Sequence, residues 1–284
     1  MNRHAIITGA CALALGLAAC SSNSDSVTST AAFQLTPDDS LQAVVHSVGQ
    51  ATAGDLDVLN SSAATLNFQV AAPPVSSANA ELAYDAGYAA AAGCTLDSAT
   101  SIFTCPPTTS NGLTLVRTFE FFDSTGAPML AFNGATTASV HIVATETGVR
   151  SSATGADTIS RVRDLTASGL LGHNTTRIWN GTGTRNDGGY WSDSIATRTA
   201  HVIDNTTFTN IVVDLPRASN PYPASGTITR MVSGAATVTR NGTTRSLTVT
   251  RTVTITFNGT EFVPMMVGNT AYTLDLATGT ATKH

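Results

Sequence analysis

Residues 228–257 read ITRMVSGAATVTRNGTTRSLTVTRTVTITF, and their reading decides the fold. Apolar and hydroxyl residues alternate on both sides of Asn241-Gly242, a dipeptide suited to a two-residue type I′ loop because both members tolerate positive φ. With that loop, Arg240 faces Thr243, Val238 faces Arg245, Ala236 faces Leu247 and Val232 faces Arg251. One face then collects Ile228, Val232, Val238, Leu247, Val249, Val253, Ile255 and Phe257, and the other is almost entirely threonine and serine. Because side chains alternate with period two, a slip of one residue would mix the two faces, so the register is strongly specified.

Working outward, continuation through Asn258-Gly259 as another turn places Val263, Met265 and Val267, and then Tyr272, Leu274 and Leu276, on the threonine face. Further turn signals stand at Asn111-Gly112, Asn133-Gly134 and Asn180-Gly181. Near the C-terminus both faces would be partly apolar, and such a sheet must curl on itself or be covered. Cover is available upstream. Leu41, Val44, Val45, Val48 and Leu56 recur at helical spacing within Asp38 to Leu59, an amphipathic helix expected to break near Gly54, and a second, Ala-rich helix is expected over Ser77 to Ala92. The expected fold is mainly β (α+β): one long curved antiparallel meander or half-barrel of about ten to thirteen strands, with one or two N-terminal helices against it. The alternative is a two-sheet sandwich. A membrane-spanning barrel is disfavoured, because threonine-rich outer faces leave no lipid-facing apolar band.

Composition narrows the function classes. The chain has 284 residues, a formal net charge of -5 and only 12% charged residues, about half the usual share, while threonine makes up roughly one residue in six. Basic charge is almost wholly arginine, with Lys283 the single lysine, and it forms no block suited to a run of phosphates. No nucleic-acid partner is expected. Beyond the first twenty positions no run is apolar and long enough to span a bilayer as a helix.

The N-terminus reads as an export signal: Arg3, an apolar run from Ala5 to Leu17, then Ala18-Ala19-Cys20. Leu17-Ala18-Ala19-Cys20 resembles a bacterial lipobox, and the resemblance implies cleavage before Cys20, diacylation of its thiol and acylation of the freed amine. It covers these twenty residues only. The division that follows is a signal peptide over 1–19, a lipidated Cys20 with a flexible Ser/Thr tether over 20–35, and a single β-rich domain with an N-terminal helical segment over 36–284. Each buried methylene contributes about 0.8 kcal/mol, so several acyl chains anchor a protein durably. Ser21 after the cysteine lacks an acidic retention signal, which favours the outer membrane.

Of the remaining cysteines, Cys11 lies in the leader, and Cys94 and Cys105 form an even pair flanking the turn-like segment Asp97 to Thr100. An oxidising compartment makes a disulfide across a short hairpin the expectation. The spacing is not the Cys-x-x-Cys of redox pairs.

Candidate binding residues are few. Arg117, Arg230 and Arg251 interrupt apolar strand faces, and either converge on an anionic head in an apolar pocket or lay their stems along the surface. Asp187-Gly188-Gly189-Tyr190-Trp191-Ser192-Asp193 brings aromatics and carboxylates together; it is read either as a contact loop presenting Tyr190 and Trp191 or as a Gly-Gly hairpin turn. Trp179, beside Arg177, reads as strand packing. His46, His141, His173 and His201 lack ligand spacing, so no metal is expected, and no cofactor. Asp123-Ser124-Thr125-Gly126 resembles an aspartic-protease signature only loosely, has no second copy, and reads as a hairpin turn. Asn174 and Asn205 begin Asn-x-Thr triplets explained by composition. No catalytic residue is assigned. The expected function is a non-enzymatic, lipid-anchored envelope protein of structural or interaction role, its partners the membrane and possible envelope proteins. The alternative is a carrier of an amphiphilic ligand in a cavity lined by Leu247, Val249, Val253, Ile255 and Met266, with Arg230 and Arg251 at its edge.

Overall fold

A computed structural model describes residues 41, 44–45, 47–49, 51–52, 55–56, 93–110, 112–172, 174–192, 196–215 and 221–284. The signal segment, Cys20, the tether and the expected helix over Ser77 to Ala92 lie outside the described residues.

The period-two pattern is realised as one antiparallel sheet of 14 strands, not closed into a barrel. The strands are β1 (Thr95–Asp97), β2 (Ile102–Thr104), β3 (Thr108–Ser110), β4 (Leu113–Asp123), β5 (Pro128–Met129), β6 (Thr137–Ser152), β7 (Gly155–Ser168), β8 (Thr176–Ser192), β9 (Ala196–Asp214), β10 (Ser225–Arg240), β11 (Thr243–Thr256), β12 (Phe262–Val267), β13 (Thr270–Asp275) and β14 (Thr280–Lys283). From β6 to β14 each strand pairs with the next in sequence, while β4 takes β2, β3, β5 and β6 as neighbours. A single sheet replaces the sandwich alternative.

The β10 to β11 hairpin has the expected register, with Arg240 opposite Thr243, Val238 opposite Arg245, Ala236 opposite Leu247 and Val232 opposite Arg251. Its loop is Asn241-Gly242, with φ of 48° and 74°, the signs a type I′ turn requires. The threonine face is exposed and laced by hydroxyl contacts, such as Thr239 Oγ1 to Thr244 Oγ1 at 3.0 Å. Asp123-Ser124-Thr125-Gly126 turns β4 into β5, the Asp123 carboxylate accepting from Thr125 N at 2.8 Å and Ala127 N at 3.0 Å.

Two expectations fail beyond the hairpin. Val263, Met265 and Val267 do not join the threonine face: Val267 pairs with Val253 and Met265 with Ile255, and all three are buried. Tyr272, Leu274 and Leu276 follow them into the core. The cause is loop length. Asn258-Gly259 is part of a longer connection from Phe257 to Glu261, braced by Thr260 N on Asn258 Oδ1 at 3.1 Å, and the added residues return the chain in the other parity. So the sheet has one apolar face, not two, and Phe262 and Met266 are the ones exposed. Asn180-Gly181 makes no hairpin either. It lies within β8 opposite a bulge of β9, where Asn180 alone faces Thr209 and Asn210 and its Oδ1 accepts from Asn210 N at 2.8 Å. Gly181 sits at φ 149°, where an added Cβ would overlap the Asp164 carbonyl oxygen.

The apolar face is covered by the helical residues 41, 44, 45, 47–49, 51, 52, 55 and 56, together labelled α1, the expected break near Gly54 lying outside the described residues. Val44, Val45, Val48 and Leu56 join a core with Phe119, Ile142, Leu165, Trp179, Ile228 and Met265. Ser47 touches Arg185 on β8, while Gly49 lies so close to the turn after β13 that a Cβ would overlap the Gly279 carbonyl oxygen. These helix residues are about 3 Å apart along the axis, yet β8 and β13 would be roughly 24 Å apart in a flat sheet. One helix meets both because the sheet bends round it.

Cys94 and Cys105 flank the β1 to β2 hairpin, whose outermost pair is Thr95 with Thr104, and are joined by a disulfide. Phe103 carries this hairpin onto the core, edge to face with Phe121 at 5.5 Å between centroids.

Candidate functional site

Alternation puts arginine where the strands' apolar residues stand. Arg117 is opposite Ala144, Ala144 opposite Arg163, Arg163 opposite Gly183, Gly183 opposite Thr206 and Thr206 opposite Arg230, one row running across the helix-bearing face. A neighbouring row runs Glu146, Arg161, Arg185, Asp204, Val232, Arg251. Arg150, Arg177, Arg198, Arg240 and Arg245 share this parity, so every arginine of the described strands faces the side that α1 covers. Carboxylates on the outer face include Glu120 and Asp164, the latter taking His141 Nε2 at 2.7 Å.

Beneath the helix these charges are bound pairwise. Asp55 reaches down from α1 between Arg163, whose Nε donates to Oδ1 at 2.6 Å, and Arg230, whose Nη2 donates to Oδ2. Arg230 Nη1 donates to Asp204 Oδ2 at 2.6 Å and to Thr206 Oγ1 at 2.9 Å, and the Thr206 hydroxyl donates on to Asp204 Oδ1 at 3.0 Å. Arg185 Nη1 donates to the Ser47 hydroxyl at 3.1 Å, while Arg185 Nε and Arg161 Nη2 hold Asp187 Oδ2 at 2.5 and 2.6 Å. Glu146 completes the chain, 3.4 Å from Arg161. Among the described residues of this cluster, four guanidiniums face four carboxylates. Gly183 and Thr206 lie between Arg163 and Arg230 in the row.

Burial alone would push the Asp55 carboxyl up, but the charges of Arg230 and Arg163 overcome it and hold it below the usual carboxylate range. Asp187 is treated alike: burial raises it, and Arg185 and Arg161 bring it down further than burial lifts it. Asp157 departs the other way, raised by burial and by neighbouring Asp187 against the pull of Arg150.

The three arginines singled out from sequence do not meet at one pocket. Arg230 is buried in the clasp, and Arg117, half-buried, is five strand spacings from it along the sheet. Arg251 is exposed, its Nη1 donating to the Thr250 carbonyl at 2.9 Å. The residues expected to line a cavity are divided likewise: Val253 and Ile255 are buried core, while Met266 stands on the opposite, exposed face. Gly188-Gly189 neither turns a hairpin nor forms a loop. Both lie within β8, opposite Thr158 and Asp157, and a Cβ on Gly189 would overlap the Asp157 carboxylate. Tyr190 is exposed there, Trp191 pairs through its backbone with Gly155 and Arg198, and Trp179 is core. Arg177 closes the β7 to β8 connection by donating to the Gly169 carbonyl at 2.7 Å. His201 Nε2 contacts Asn186 Oδ1 at 2.7 Å on the outer face. His46 and His173 are outside the described residues, and among those described no three His, Cys, Asp or Glu side chains are gathered as a metal site.

Sequence reading missed Asp55, Arg163, Arg185 and Asp204. The signal for Arg163, Arg185 and Asp204 was charge at core-facing parity in their strands, and for Asp55 a carboxylate beside Leu56 on the apolar side of the helix. Comparison with protein-family models, curated proteins and solved structures found no match to this chain.

Proposed function

We propose that this is a lipid-anchored protein of the bacterial cell envelope, held at the outer membrane through acylated Cys20, whose β-rich body serves a non-enzymatic structural or interaction role. The observation that carries the reading is Leu17-Ala18-Ala19-Cys20 at the end of an apolar leader. The Cys94 to Cys105 disulfide supports it, since such bonds persist in exported proteins. So does the use of the buried ionisable groups: they clamp α1 to the sheet, which is work of holding a shape. Replacing Cys20 by Ala should move the protein from the membrane to the soluble fraction, and the wild-type N-terminal peptide should carry diacylglycerol by mass spectrometry. Retention of the variant in salt-washed membranes, with an unacylated wild-type peptide, would defeat the proposal.

A further inference from the structure

Strand β11 pairs with β10 along its whole length, but with β12 only from Val253 to Ile255. From Thr243 to Arg251 its other edge has no strand partner among the described residues, and the side chains there are exposed except for half-buried Leu247 and Val249. The direction of its backbone groups follows from one bond. The Thr252 carbonyl accepts from Gly268 N at 2.9 Å, on the β12 side. N–H and C=O of one strand residue point the same way and alternate along the chain, so Thr250, Thr248, Ser246 and Thr244 aim theirs at the open edge. On the helix-bearing face the same edge presents, in order, Arg245, Leu247, Val249 and Arg251.

We infer that this edge accepts an extended acidic peptide segment of a partner protein as an additional strand. Main-chain hydrogen bonds to an open edge supply affinity, and alternate side chains supply selectivity. Here the alternate positions call for a carboxylate beside Arg245, two apolar residues beside Leu247 and Val249, and a carboxylate beside Arg251. A second copy of this chain is the wrong occupant, since its own β11 would bring Arg245 and Arg251 to a surface already cationic. Charged residues on an edge are a known guard against self-pairing, and the same charges favour an acidic strand. The inference rests on the interaction role proposed above and names the class of partner. It is tested in solution, where it can fail while the lipid anchor holds, and the reverse.

The full chain in detergent would be titrated with the labelled peptide Glu-Thr-Val-Thr-Val-Thr-Glu and with its counterpart carrying Lys at both ends. The acidic peptide should bind about tenfold or more tightly than the basic one, less so at high salt, and should slow amide exchange at Thr244, Ser246, Thr248 and Thr250. Arg245→Glu with Arg251→Glu should invert the preference. Thr248→Pro removes an edge N–H without touching the β10 ladder and should abolish binding of both peptides, its thermal midpoint showing that it still folds. Equal binding of the two peptides, no binding, unchanged amide exchange in the wild-type protein, or a dimer in sedimentation that Thr248→Pro dissolves would overturn the inference.

Discussion

Asp55 is one carboxylate shared by two guanidiniums carried on strands that are not neighbours, so its removal leaves both Arg163 and Arg230 buried without their common partner. Breaking a buried pair by deleting one member costs about 3 to 5 kcal/mol. Asp55→Ala should therefore lower stability by about that amount, read by urea unfolding, and should raise proteolysis of the N-terminal segment before the sheet opens. An effect under about 1 kcal/mol would mean that the clasp is solvent-screened. Asp157 offers the opposite sign. Its folded carboxyl is raised, so it favours the fold while protonated and works against it as the pH climbs through that raised value. Asp157→Asn should then stabilise the protein at neutral pH and change little at pH 3, a comparison that thermal midpoints at the two pH values can make.

At the scale of elements, what was legible depended on the length of the connection. A two-residue Asn-Gly loop transmits parity without ambiguity, which is why the β10 to β11 register could be written down residue by residue. The same dipeptide at Asn258-Gly259 sits in a longer loop, and at Asn180-Gly181 it faces a bulge of β9 from within β8, because a glycine's tolerance of positive φ suits turns and irregular strand positions alike. Nothing local distinguishes the three. Gly181→Val should cost about 1 to 3 kcal/mol from backbone strain alone, more than an exposed strand substitution would, and a differential scan can measure it. The β1 to β2 hairpin depends on its disulfide: Cys94→Ser with Cys105→Ser should lower stability by about 3 kcal/mol in the chain-entropy model.

Across the described strands the charges are sorted by side, arginine towards the helix and carboxylates such as Glu120 and Asp164 outward. Folding therefore couples to pH through the clasp. Asp55 and Asp187 have folded values below their unfolded ones, so their contribution is complete above about pH 5 and drains away as pH falls below about 4. Acid titration should release α1 from the sheet in that window, seen as new exchange of the helix amides, and Asp204→Asn should move the transition to higher pH by weakening the hold on Arg230. What the sequence determined by itself was the parity of the β10 to β11 hairpin, the mainly β class and the pairing of Cys94 with Cys105, because period-two alternation, short loops and proximity act over a few residues. The tertiary structure alone decided which carboxylate each core-facing arginine would meet. Asp55 finds Arg163 and Arg230 at sequence separations of 108 and 175, a meeting created by the curvature of the sheet round one helix, and burial there makes unpaired charge too costly to leave.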